Sequence, residues 1–458
     1  MKTLLSDISI LIKSGSSYET MDHSYLVIDN EIISYVGKNK PSGDFDKVYE
    51  LSSHLVMSGL INSHGHSPMT LLRCAGSGYK LHDWLNKAIF PVEAKMIPLD
   101  IYAGTEMAML EMLASGTTSF STMYDFPYAS AKAVAEMKGK ASICRTGWCF
   151  DFNLDMKDCP RLGECIDIIK IFNGEKDGNE ELFNELKVNK LPSDILTSVK
   201  RGDIIPTLSI HSVYLASTKF IIGLVEENKS LNARIEIHLS ETKKELDDAL
   251  SNFGKTPTVY LNDLGVFKYD TFCAHCVTVD DNDLKILKNN NSSIVFNPAS
   301  NMKLCSGMAP IKKALDMGVN VALGTDGCAS NDNLDMFKEM YVAGLLSNLQ
   351  ANAPASVKAS EIIDMATING AKALGRKDTG EIKVGKKADL IVIDLDKPHL
   401  KPFNDPAAVI VYSMSGSDVV MTFVNGYLLY DHGEFPYYDI NKINKDFKEA
   451  LKRLDIKE

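Results

Sequence analysis

The chain has 458 residues, 45% of them hydrophobic and 24% charged, with a formal net charge of -11 at pH 7. That length holds one large barrel domain or two to three ordinary domains, and the acidic balance argues against non-specific nucleic-acid binding, which needs a basic face. No apolar run reaches the ~18–20 residues of a membrane span, no signal peptide is read at the N-terminus, and nine scattered cysteines read as reduced core thiols of a cytoplasmic protein.

The first 57 residues read as short strands and turns, with apolar or alternating runs over 4–12 and 25–36 punctuated by Asp29-Asn30 and Pro41-Ser42-Gly43. From 58 to 380 the rhythm changes. Strand-like runs at 56–62, 117–123, 142–147, 207–211, 234–238, 271–275, 293–297 and 320–325 alternate with helical patterns such as 101–114 and 243–252. One polar stretch, 175–203, reads as an insertion before the fourth strand. After 380, β-like runs return at 389–393, 409–412, 419–424 and 427–430, and 441–458 reads as a charged amphipathic helix. The predicted class is α/β: a (β/α)8 TIM-type barrel over 58–380. A small β-sandwich domain formed by both chain ends, 1–57 and 381–440, flanks it, and a C-terminal helix follows.

In such a barrel the active site lies at the carboxyl ends of the strands. The first strand ends with His64 and His66, the third near Arg145, the fourth at His211, the fifth at His238, the sixth at His275 and the eighth at Asp326. Five of the ten histidines therefore converge on one rim. Two residues apart on an extended segment, His64 and His66 face the same side and reach one ion. His238 and Asp326 complete a nitrogen and oxygen donor set for one divalent cation, zinc by default, with Fe2+ or Mn2+ as alternatives.

Other metal signatures are missing from the sequence, both His-Glu-x-x-His and the His-x-Glu with Pro-Cys-x-x-Cys of a different zinc class. His211 stands where a lysine would be carbamylated to bridge two metals, which favours a single ion. Cys273 and Cys276 form one C-x-x-C with no second pair, too little for a structural zinc site. Glu241, three residues past His238, is either a first-turn glutamate favoured by the helix dipole or a proton shuttle beside the activated water. His275 is expected to orient that water and stabilise developing charge.

The run Gly-Leu-Ile-Asn-Ser-His64-Gly-His66-Ser-Pro-Met-Thr-Leu-Leu-Arg resembles the first-strand motif of the amidohydrolase superfamily, in its purine-deaminating and triazine-hydrolysing branch. His238-Leu-Ser-Glu241-Thr, Ala-His275-Cys, Asn297-Pro-Ala-Ser-Asn-Met-Lys-Leu, Gly324-Thr-Asp326-Gly-Cys-Ala-Ser-Asn and Lys386-Lys-Ala-Asp-Leu-Ile-Val-Ile-Asp extend the resemblance over nearly the whole chain. Within the branch the chain looks most like 5′-methylthioadenosine/S-adenosylhomocysteine deaminases.

That resemblance implies a metal-dependent hydrolytic deaminase of adenosine-type nucleosides. The alternative is a guanine, pterin or triazine-type hydrolase of the same branch; a non-catalytic binding barrel would lack a ligand or the acid, and neither is missing. It implies that Glu93 holds the ribose hydroxyls and that Arg145 and Arg161 meet a homocysteine carboxylate or the ribose side. It also implies that His211 contacts ribose or purine and that Trp84 packs near the purine, a core position being equally open for Trp84. In the implied mechanism Asp326 takes a proton from the attacking water, Glu241 protonates the ring nitrogen and His275 stabilises the new oxygen. The expected partners are a small-molecule substrate and further copies of the chain, as a dimer or tetramer, with no nucleic acid and no membrane. Two departures stand out: Gly65 replaces the more usual threonine, and the 175–203 stretch is longer than the family suggests, which leaves the substrate tail more open than the reaction.

Overall fold

The computed structural model describes residues 1–149, 151, 154 and 159–457. The first strands are β1 (Lys2–Ser14), β2 (Ser17–Asp29), β3 (Ile32–Gly37), β4 (Lys47–Glu50) and β5 (His54–Ser58), all in one sheet. β1 and β2 pair antiparallel with register shifts on either side of Ile8, where Asp7 has φ 55°. The bulge bends β1, so Thr3–Ser6 pairs with β4 while Ser9 and Ile10 pair with β5.

At Gly59 the chain leaves this sheet for the barrel. The single strand expected over 56–62 is therefore two, with β5 in the terminal sheet and β6 (Leu60–Asn62) in the barrel. A Cβ at Gly59 would lie 2.2 Å from the Thr118 side chain, so the crossing needs glycine. The barrel continues with β7 (Thr117–Tyr124), β8 (Ala141–Arg145), β9 (Ile204–Pro206), β10 (Leu208–Ile210), β11 (Ile235–Leu239), β12 (Thr271–His275), β13 (Ser293–Phe296) and β14 (Asn320–Leu323), and every pairing is parallel.

β9 and β10 are the halves of one stave bent at Thr207, the first half pairing with β8 and the second with β11. The two arcs meet on the other side where Ser63 N–H donates to the Leu323 carbonyl at 2.9 Å. The eight expected barrel strands are thus all present as eight staves. Ile61, Phe272, Val295 and Ala322 form one buried cluster with Ala371, Ala373 and Leu374 at the helix Ile368–Ala373. Nearer the rim the packing turns polar, with the Ser121 hydroxyl and the Cys144 thiol both donating to Glu236 Oε2.

The stretch 175–203 forms two short helices, Glu180–Leu186 and Ser193–Lys200, which pack against the helix Pro127–Glu136. After the barrel, β15 (Leu390–Asp394), β16 (Val419–Val424) and β17 (Tyr427–Asp431) join the terminal sheet by antiparallel pairing of β15 with β5. Leu5, Ile10 and Leu26 from one end and Leu390, Val392 and Phe423 from the other share a single core, so the sheet folds over its own apolar face. Its other face, with Leu11, Leu55, Ile391 and Ile393, merges with the barrel core.

The run 409–412, expected as a strand, is helical: Asp405 accepts the Ala408 N–H and Pro406 opens the helix Pro406–Tyr412, a start signal that outweighs the β-branched residues. The C-terminal helix spans Ile440–Arg453, and Glu458, at the end of its expected range, lies outside the described residues. No helix among the described residues is long and apolar enough to cross a membrane.

Candidate metal centre and active site

The strand ends converge as the sequence suggested. β6 runs out into Ser63-His64-Gly65-His66, and β14 ends beside it at Gly324-Thr325-Asp326. A Cβ at Gly324 would stand 2.8 Å from both the backbone N and O of His64, so only glycine allows the approach in which Asp326 N–H donates to His64 O at 3.0 Å. By contrast a Cβ at Gly65 would meet only ordinary contacts of 3.4 Å and longer.

Four imidazoles are fixed by the same device. Each Nδ1 faces an oxygen acceptor: Glu236 Oε1 for His64 at 2.7 Å, Met123 O for His66 at 2.6 Å, His211 O for His238 at 2.7 Å and Asn301 Oδ1 for His275 at 2.8 Å. An oxygen without a proton demands a donor, so Nδ1 carries the hydrogen and Nε2 presents a lone pair. Those lone pairs gather at one point. His66 Nε2 lies 3.3 Å from His238 Nε2 and 3.3 Å from Asp326 Oδ1, and His64 Nε2 lies 3.6 Å from the same oxygen.

Donors each about 2.0–2.2 Å from one ion stand about 3.0–3.6 Å apart, so His64, His66, His238 and Asp326 fit a single divalent cation. His64 Nε2 is fully buried with no hydrogen-bond partner, an orphan that a cation satisfies. Burial alone would lower the His64 pKa, yet the Asp326 and Glu236 carboxylates push it up to about 9, so the position attracts positive charge.

Asp326 is oriented from the other side. Its Oδ2 accepts the Ser300 and Ser330 hydroxyls at 2.6 and 2.8 Å, and its Oδ1 also accepts Gly327 N–H at 2.8 Å. Burial would raise its pKa, but the imidazoles of His64 and His66 hold it well below the usual carboxylate range. Glu241 is the opposite case: burial first, then the charges of Asp326 and Glu245, push its carboxyl well above the usual range. Glu245 accepts the Ser240 and Glu241 backbone N–H groups at 3.1 and 2.7 Å, which braces the turn that carries Glu241. Glu241 Oε2 is 3.9 Å from His275 Nε2. Ser240, His275 and Asp326 all have positive φ, 51°, 74° and 63°, a backbone strain of the kind that collects at functional sites.

A cavity of about 310 Å³ opens onto this rim, large enough for a small organic ligand. Its floor is His66, His238, His275, Asp326 and Glu241, and its walls include Trp84, Glu93, Tyr124, Asp125, Trp148 and His211. The expected residues Trp84, Glu93 and His211 thus face the same space as the metal centre. His211 is held neutral, lowered to about 3 by burial and by the neighbouring histidines, and His275 is lowered to about 4, by burial foremost. Glu93 is pushed up to about 7 by burial, against the pull of the Tyr124 hydroxyl.

The other two expected residues, Arg145 and Arg161, do not line the cavity; their guanidinium groups pair with Asp125 and Glu164. Several site residues escaped the sequence reading. Glu236 precedes His238 by two on the same strand, so the alternation that paired His64 with His66 points to it as well. Tyr124 and Asp125, at the end of the second barrel strand, line the cavity as well.

A model of the amidohydrolase family matches residues 55–429. Over 455 residues the chain is 36% identical to the 5-methylthioadenosine/S-adenosylhomocysteine deaminase of Thermoanaerobacter pseudethanolicus, covering 99% of each chain. It is 39% identical over 429 residues to the 5′-deoxyadenosine deaminase of Methanosarcina barkeri, covering 94% of this chain and 93% of that one. A solved adenosine deaminase from Xanthomonas campestris with bound zinc superposes with a TM-score of 0.84 at 25% identity, covering 99% of this chain and 98% of that one.

Proposed function

The chain belongs to the amidohydrolase family, and from that premise we propose that it hydrolyses adenosine-type nucleosides, 5′-methylthioadenosine and S-adenosylhomocysteine among them, to the inosine derivative and ammonia. The observation that carries the reading is a pair of carboxyl groups on one cavity floor beside three converging imidazoles, with Asp326 held below the usual carboxylate range by His64 and His66 and Glu241 pushed above it by burial. Such a pair divides the work of base and acid.

Held by His64, His66, His238 and Asp326, a divalent cation supplies the charge that makes water a nucleophile near neutral pH. Zinc is the ion we assign, because three imidazoles and a carboxylate form one of its usual donor sets, and elemental analysis of the purified protein checks it. The chain's own groups do the rest. Asp326 Oδ1 accepts a proton from the attacking water. His275, with its lone pair turned to the same point, accepts a hydrogen bond from that water and orients it. Glu241 hands its proton to the ring nitrogen beside the carbon under attack, which draws negative charge out of the ring; the proton held by Asp326 then passes to the amino group, which leaves as ammonia, and the proton of the new hydroxyl returns to Glu241 as the carbonyl forms.

Glu93 and His211 give the reading its preference for nucleosides. A carboxylate accepts two hydrogen bonds from a vicinal diol, and a free base offers none. Adenosine, methylthioadenosine and S-adenosylhomocysteine are therefore expected to outrun guanine, pterins and chlorotriazines in a parallel assay of ammonia or chloride release. Because Glu93 is raised to about 7, KM for a riboside should climb as pH falls below that value and the carboxylate gains a proton. A Glu93→Gln variant should lose this dependence. A free base as the best substrate would overturn the nucleoside assignment and leave the metal chemistry standing.

Assembly with further copies of the chain is part of the same proposal. Tyr341, Leu345 and Leu349 form an exposed apolar stripe on the helix Met336–Ala351, and Leu349 is 71% exposed, which supports a buried role in an oligomer. Light scattering that returns a monomer mass at micromolar concentration would remove it.

A further inference from the structure

Asp326 turns Oδ1 toward the imidazoles, so the aim of that oxygen depends on what grips Oδ2. The grip comes from two separate segments. Ser300 lies in the helix Pro298–Lys303 that follows β13, and Ser330 in the short helix Cys328–Asn331 that follows β14. One further side chain spans the gap between them. Glu339 Oε1 accepts Asn331 Nδ2–H at 2.7 Å, and Glu339 Oε2 accepts Ala299 N–H at 3.3 Å. Each of these donors belongs to the residue next in the chain to one of the two serines. Asn331 Nδ2 also donates to the Thr325 carbonyl at 2.6 Å, while Thr325 N–H donates to Asn62 Oδ1 at 2.9 Å, so the same amide fixes the peptide that leads into Asp326.

We propose that Glu339 is a positioning residue for the metal centre: by tying the turn after β13 to the turn after β14 it sets the spacing of the Ser300 and Ser330 hydroxyls, and through them the aim of Asp326 Oδ1. The proposal rests on the metal reading above and not on the identity of the nucleoside. A glutamate in the first turn of a helix ordinarily answers the helix dipole from the surface. Glu339 sits in the first turn of the helix Met336–Ala351, yet its exposure is 0%, and it stands outside the cavity lining. Taking a carboxyl group wholly out of water is costly, and here the compensating bonds go to two turns rather than one. Burial pushes its pKa up to about 8 against the pull of the two donors, and a carboxyl group keeps acceptor capacity in either protonation state, so the bracing does not hang on its charge. Glutamine at this position keeps the volume but offers one acceptor oxygen for two donors. Either Asn331 or Ala299 then faces an amide NH2, and the turn that carries it shifts. Asp326 keeps its charge and both oxygens, so the site is loosened and not abolished.

The test measures zinc affinity by chelator competition against the zinc-loaded protein, together with kcat and KM for methylthioadenosine. Glu339→Gln should bind zinc at the wild-type stoichiometry with affinity about tenfold lower, and kcat should fall about tenfold at unchanged KM. A residue that only stabilises the fold gives a different result, fewer zinc-binding chains of normal affinity, and that result overturns the proposal. The second readout is coupling. In a Ser300→Ala/Ser330→Ala protein the hydroxyls are gone, so adding Glu339→Gln should cost less than about twofold more, whereas an independent role repeats the whole loss. Asn331→Ala cuts the same tie from its other end and replaces Glu339→Gln if that variant does not fold. Wild-type affinity and kcat in both variants, or the whole loss repeated in the serine-free background, overturns the positioning role and leaves the metal centre and the deaminase standing. A wild-type protein that binds no zinc removes the metal reading and this one together.

Discussion

Glu241→Gln is expected to lower kcat by about 10²–10⁴-fold while the metal content stays at the wild-type level. Glutamine keeps the volume, the backbone bonds to Glu245 and an acceptor oxygen, and it removes one thing, a proton that can be given away. The Glu241 side chain is not a ligand of the metal centre, so an activity loss with metal in place separates proton delivery from metal loss.

The pH profile gives a second readout for this variant. Burial and the neighbouring Asp326 and Glu245 raise the Glu241 pKa well above the usual range, which favours the acid form. It disappears only as pH climbs through the raised value. Wild-type kcat should therefore decline on the alkaline side, and the glutamine variant should lose that decline. If the variant instead turns over near the wild-type rate, the proton reaches the ring nitrogen by another route and Glu241 leaves the mechanism. Wild-type KM with a reduced kcat would place the missing interaction in the transition state alone.

How much of this was legible in the sequence depends on distance along the chain. His64-x-His66 and Glu241 after His238 are local, and extended geometry plus one turn suffices to place them. The eight staves followed from the alternation of apolar runs with helical patterns, because a parallel strand buried on both faces has a distinctive look. What the sequence hid were meetings between distant segments. The strand expected over 56–62 was cut at Gly59 by pairing of β5 with β15, more than 330 residues away, and no local rule reports such pairing. The helix at Pro406–Tyr412 was hidden differently, since its valines and isoleucine favour strand while its Asp-Pro start favours helix. For Arg145 the sequence supplied a cation at a strand end, the usual mark of an anion site. Its three carboxylate partners come from positions 125, 164 and 181, and only the fold brings them together.

Asp326→Asn is expected to act at two levels, with kcat/KM down by about 10³-fold or more and metal affinity down by about 10–100-fold. The substitution changes a single oxygen to an amide nitrogen, but neither orientation of the amide restores the site. With the amide oxygen toward His64 and His66, the negative charge and the proton acceptor are both gone. With the nitrogen there, two hydrogens point at the place where a cation belongs.

The Ser300 and Ser330 hydroxyls that pin Oδ2 can rotate to suit either orientation, so folding should survive. Metal titration against pH then identifies the cause. In the metal-free protein His64 holds a proton up to about 9, because Asp326 and Glu236 stabilise its charged form. A cation must displace that proton, so wild-type affinity should rise by roughly tenfold per pH unit and level off near that value. Asp326→Asn removes one of the two carboxylates that stabilise the proton, and its plateau should begin at lower pH. A variant that keeps full metal, full rate and the wild-type plateau would show that Asp326 neither binds the ion nor touches the reacting water.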